Sequence, residues 1–73
     1  MLEKLIDIIA ENGENINASD ITEDTDFIAD LGFTSLDIVN CITEAEDAFG
    51  KEIPEESLEG IHTVGDVLKL LQE

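Results

Sequence analysis

The run Asp30-Leu31-Gly32-Phe33-Thr34-Ser35-Leu36-Asp37 joins a polar, turn-rich stretch to one with apolar periodicity, and it places a serine where a helix should start. Thr34 has the chemistry of an N-cap, and Asp37 three residues on can bond back to it, as in a capping box. Ser35 is then the first helical residue. Its hydroxyl would stand at the positive end of the helix dipole beside unpaired backbone N–H groups, a favourable setting for a phosphate ester. Gly32 supplies a turn just upstream, so another protein could reach that hydroxyl. As an attacking nucleophile Ser35 is poor, because serine needs a neighbouring base to take its proton. The one histidine, His62, is far along the chain, and no lysine stands close in sequence. A serine without a base reads as the substrate of another enzyme. A Thr-Ser pair that opens a helix is common, and by itself it most often serves capping alone.

The same run resembles the signature of acyl and peptidyl carrier proteins, in which a serine at a helix start carries 4′-phosphopantetheine. Phe27 before it, and Glu46, Phe49, Ile53-Pro54 and Thr63-Val64 after it, stand at the spacings of that family, so the likeness covers the chain as a single carrier domain, residues 1–73. One position departs: the family usually has Asp directly before the serine, where this chain has Thr34. That exchange keeps the helix cap but removes a carboxylate that the modifying transferase could use. The resemblance implies that Ser35 receives its arm from coenzyme A through a phosphopantetheinyl transferase and carries acyl groups on the arm's thiol as thioesters. Fatty acid synthesis is the expected pathway for so acidic a single domain. A specialised carrier of a polyketide, nonribosomal peptide or other pathway is the alternative, favoured by Thr34 and the uncharged Asn40 and Thr43. An unmodified acidic interaction module stays open as a different class. An enzyme would need a base, a metal set or a nucleophile pair, and the sequence offers none.

Composition restricts the partners. Nineteen acidic residues stand against Lys4, Lys51 and Lys69, for a formal net charge of −16. Such a surface repels nucleic acid phosphates and anionic lipid, and attracts enzymes with basic docking patches. Seventy-three residues make one domain near the lower limit for a self-sufficient core, and with Phe27, Phe33 and Phe49 as the only aromatics that core must be mostly Ile, Leu and Val. One cysteine, Cys41, excludes an internal disulfide and reads as a small core residue. The N-terminus lacks a basic segment followed by a long apolar one, and no run approaches a membrane span, so a cytoplasmic monomer is expected.

The elements that must position Ser35 follow from periodicity. Leu2, Leu5, Ile6 and Ile9 mark the inner face of a helix from Met1 to about Asn12, with Gly13 expected to end it in the left-handed conformation. Residues 14–34 form a long loop that Ile16, Ile21, Phe27, Ile28 and Leu31 should pin down. Its acids raise the question of calcium. An EF-hand loop needs Gly at its sixth position, and loops starting at Asp20, Asp24, Asp26 or Asp30 would have Thr25, Ala29, Leu31 or Ser35 there, so no metal site is expected.

A second helix over about Ser35 to Phe49 should turn Ile38, Cys41, Ile42, Ala45, Ala48 and Phe49 inward. Its other side carries Leu36, Val39, Asn40, Thr43 and Asp47, flanked by Asp37, Glu44 and Glu46. Two apolar residues ringed by acids beside Ser35 suggest the centre of a small partner interface, and the resemblance implies the same, since carrier proteins dock through this helix. Changing Asp37, Glu44, Glu46 and Asp47 to Lys is expected to impair transfer while leaving the fold intact. Gly50 should cap this helix, Pro54 should be the first residue of a short third helix, and Thr63-Val64-Gly65-Asp66 repeats the capping logic ahead of a last helix with Val64, Val67, Leu68 and Leu71 inward. No segment alternates as a strand would. The expectation is an all-α, small four-helix bundle, three longer helices and one short, with a long loop between the first two. From the family comes one more expectation, an apolar cavity between the second and third helices with Ile42, Leu58, Ile61 and Leu68 as candidate lining.

Overall fold

The computed structural model describes residues 1–72, and they form four helices: α1 (Leu2–Asn12), α2 (Ser35–Phe49), α3 (Glu55–Leu58) and α4 (Val64–Gln72). A single 3₁₀ turn, Ala18–Asp20, interrupts the long connection between α1 and α2. No strand occurs among the described residues. An isolated antiparallel bridge between Asp26 and Thr63 is the one β-type pairing.

Helix α1 packs against α2, α4 and the 3₁₀ turn. Leu5, Ile8 and Ile9 are its buried residues, while Leu2 and Ile6 reach only half-burial. At ~100° per residue the contact face is thus turned toward Ile8 from the stripe read in the sequence. Gly13 ends the helix in extended backbone, φ −105° and ψ 161°, and not in the left-handed region expected for it. Its value lies in what it lacks: a Cβ there would collide with the Ile16 side chain, which folds back over the helix end. The left-handed residue is Asn15, at φ 60°.

Helix α2 starts and stops where its caps require. The Asp37 amide donates to Thr34 Oγ1 at 3.3 Å and the Thr34 amide donates to Asp37 Oδ2 at 2.9 Å, a reciprocal capping box. At the other end Gly50 is left-handed, φ 66° and ψ 33°, with its N–H on the Glu46 carbonyl. Ile38, Cys41, Ile42 and Ala45 face the core. Ala48, expected inward, is exposed, and Phe49 is half-buried with Lys4 Nζ 5.9 Å from its ring centroid. Pro54 is the N-cap of α3 and not its first helical residue. Helix α4 has a second capping box, with Thr63 N–H on Asp66 Oδ2 at 3.0 Å and Asp66 N–H on Thr63 Oγ1 at 3.3 Å.

Sixteen buried apolar residues make one core, among them Phe27, Leu5, Ile9, Leu71, Val64 and Val67, each almost wholly removed from solvent. Burial of one such Val, Leu, Ile or Phe side chain contributes about 1.5–3 kcal/mol. The long loop contributes Ile21, Phe27 and Phe33 to this core, the two rings stacked with centroids 6.0 Å apart. Ile16 and Leu31 pack against it in part, but Ile28, expected to help pin the loop, is 60% exposed.

The loop is tied down mainly by its backbone. Phe27 N–H donates to the His62 carbonyl at 3.0 Å, Val64 N–H to Thr25 at 3.0 Å and Gly65 N–H to Glu23 at 2.8 Å, so the loop runs antiparallel to the connector that leads into α4. On its other side Phe27 accepts from Phe33 N–H at 2.9 Å. The segment that delivers Ser35 is therefore laced, through Phe27, to the segment that carries His62.

Candidate functional site

Ser35 is the first residue of α2 and is exposed. The first regular helix bond runs from the Ile38 amide to the Thr34 carbonyl, and of the four orphan amides before it, that of Thr34 is taken by Asp37 Oδ2 and that of Asp37 by Thr34 Oγ1. Those of Ser35 and Leu36 have no acceptor among the described residues. Two free N–H donors beside an exposed serine, at the positive end of a 15-residue helix, are a setting that favours an anion. The Asp37 carboxylate is held against the cap by the Thr34 amide and hydroxyl.

A groove of about 330 Å³ opens beside Ser35, lined by Ile28, Ser35, Ile38, Val39, Leu58, Glu59, Ile61 and His62. Most of these side chains are apolar, and the groove runs between the start of α2 and the α3 region. Of the four residues expected to line an apolar cavity, Leu58 and Ile61 are here. Ile42 and Leu68 are not among its lining residues and are buried within the core. Ile28, Ile38 and Val39 take their place. His62 also belongs to this wall although it is remote from Ser35 in sequence. Nothing local in the sequence signals that proximity, which depends on the Phe27–His62 hydrogen bond.

The residues expected to meet partners divide into two groups. Leu36, at 68% exposure, Val39, at 40%, Asn40, Thr43, Glu44 and Asp47 are on the open face of α2. Thr43 turns its hydroxyl onto the Val39 carbonyl, and Glu44 accepts from Asn12 Nδ2 at 3.2 Å. Asp37 and Glu46 are half-buried and hold the fold itself. Asp37 closes the capping box, and Glu46 Oε2 accepts the Ile53 amide at 2.9 Å. Lys at Asp37 and Glu46 would remove carboxylates that accept backbone N–H groups, a stability cost that the expectation from sequence did not include.

Two of the loop acids, Asp26 and Asp30, are committed in the same way. Asp26 Oδ1 accepts the amides of Ile28 and Ala29, and Asp30 Oδ2 accepts that of Asp26. Two titrating groups are displaced from their ordinary values. Burial, and then the Glu44 and Asp37 carboxylates, push the Cys41 thiol up to about 12. Hydrogen bonds from the His62 and Thr63 amides hold Asp66 below the usual carboxylate range. No described helix is long and apolar enough to cross a membrane.

The family comparison agrees with this geometry. The model of the phosphopantetheine attachment site matches residues 3–71. Nearly the entire chain is thus in register with a domain whose defining chemistry is a covalent cofactor, and the exposed serine beside free amides suits such a group. The chain belongs to the phosphopantetheine attachment family of acyl-carrier-type proteins, which carry 4′-phosphopantetheine covalently.

Proposed function

We propose that Ser35 is the attachment point, and that the chain shuttles acyl groups, as thioesters on the arm's thiol, between partner enzymes. The observation that carries this reading is the Ser35 hydroxyl standing exposed beside the unpaired Ser35 and Leu36 amides. In the loading step Ser35 Oγ forms a bond to the phosphorus of coenzyme A that bears the pantetheine, and the bond to the adenosine bisphosphate leaving group breaks. The hydroxyl proton goes to a base on the transferase, since none of the described residues places one in hydrogen-bond contact with Ser35. The arm's thiol supplies the acyl-carrying chemistry. The chain's own part is to hold the ester at the helix start, to shelter apolar cargo against Ile38, Leu58 and Ile61, and to present α2 to partners.

Fatty acid synthesis is the pathway we assign, with the acidic open face of α2 supporting docking to basic enzyme surfaces. Such docking is weak and brief, as a carrier must leave each enzyme after its step. Service in a polyketide, peptide or other specialised pathway is the second reading, favoured by Asn40 and Thr43 on that face and by Thr34 before the serine. We assign no catalytic role to the chain itself. The test is loading with a tagged coenzyme A by a broad-specificity phosphopantetheinyl transferase. The wild-type chain takes one tag and Ser35→Ala takes none; equal labelling of the two would refute the assignment.

A further inference from the structure

Once Ser35 is esterified, the groove beside it has one remaining side chain able to donate a hydrogen bond to an anion. Its lining is otherwise apolar apart from Glu59, whose carboxylate repels a phosphate, and no lysine is among the lining residues. That remaining donor is His62. Its backbone is fixed on both sides, the N–H on Asp66 Oδ2 at 2.9 Å and the carbonyl on Phe27 N–H at 3.0 Å, while the side chain is exposed. Because Phe27 also bonds Phe33, two residues before Ser35, the ring and the attachment point are held on adjoining backbone segments.

We propose that His62 is a positioning residue for the prosthetic arm, its imidazole donating a hydrogen bond to the phosphodiester on Ser35 and turning the arm's first bonds into the groove. The proposal rests on the assignment of Ser35 above. The Ser35 and Leu36 amides bind the ester from the helix side, and His62 binds it from the connector side, so the phosphate is gripped across the groove mouth. A hydrogen bond to a charged oxygen is stronger than one between neutral groups, which is what a single contact needs to bias a flexible tether.

The test uses the full chain, bare and loaded, with loading first established by intact mass. As His62 is the only histidine, its ring signals need no sequence assignment. On loading, the ring carbon-proton signals should shift, and cross-peaks should connect them to the arm's methyl groups. The ³¹P signal of loaded His62→Ala should be displaced from that of the wild type, while His62→Gln, which keeps a donor, should restore it in large part. Both variants keep the backbone bonds at this position and should fold. Ring signals that overlay in bare and loaded protein, together with a ³¹P signal indifferent to His62→Ala, would overturn the proposal while leaving Ser35 as the attachment point. A chain that gains no mass would overturn the Ser35 assignment itself, and this inference with it.

Discussion

Cys41 and Ser35 share one helix but meet opposite surroundings, and the contrast can be read with a thiol reagent. With its thiol pushed up to about 12, folded Cys41 is protonated at pH 8 and is shielded as well, so almost none of it is the reactive thiolate. Dithionitrobenzoate should therefore find no reactive thiol in the folded bare chain, one in the folded loaded chain, and one more in each after denaturation. Prompt labelling of the bare folded chain would show that Cys41 is not sealed in the core. Asp66 gives a second residue-level test. Its carboxyl is held below the ordinary range by two backbone amides, so it contributes stability above its unfolded value of about 3.9, and that contribution is lost as pH falls through the lower, folded value. Asp66→Ala should cost about 1 kcal/mol at pH 7 by denaturant titration, and the difference from wild type should shrink at the acid end. A penalty independent of pH would mean that the carboxylate is not the capping group.

At the scale of the element, α2 has to be both a structural strut and a docking face, and its acids are divided between the two. Glu46→Ala should destabilise the chain by about 1–2 kcal/mol, because it leaves the Ile53 amide without its charged acceptor. Glu44→Lys with Asp47→Lys should not destabilise the chain, since both sites are exposed and the change relieves four units of negative charge, and should slow acyl transfer by partner enzymes, more so at low salt. Unaltered transfer kinetics in that double variant would place the docking surface elsewhere. The sequence made much of this helix legible, because its boundaries rest on local chemistry: Thr34 with Asp37 at one end and Gly50 at the other, both realised as read. What escaped sequence reading was set by distant partners. Gly13 is extended with Ile16 lying over it, Ala48 is exposed beside a half-buried Phe49, and Glu46 is committed to an amide beyond the helix end. His62 joined the site through a hydrogen bond to Phe27 that no spacing rule reveals.

The described residues span 28 × 22 × 18 Å, and the chain carries a formal charge of −16. At ~0.01 M ionic strength the screening length is about 30 Å, longer than the molecule, so every carboxylate feels every other; at ~0.15 M it is about 8 Å, and only neighbours interact. Self-repulsion should therefore fall sharply across this window. The melting temperature at neutral pH is expected to rise by several degrees between those two salt concentrations, and a flat response would remove repulsion as a determinant of stability. The same field orients the molecule toward basic partners. At the start of α2 it surrounds a neutral serine cradled by free amides, and there the central claim can be tested directly. The measurement is intact and peptide-level mass spectrometry after incubation with coenzyme A, magnesium and a phosphopantetheinyl transferase. The account predicts a gain of one phosphopantetheine per chain, located on the peptide that contains Ser35; no gain, or a gain on another residue, would contradict it.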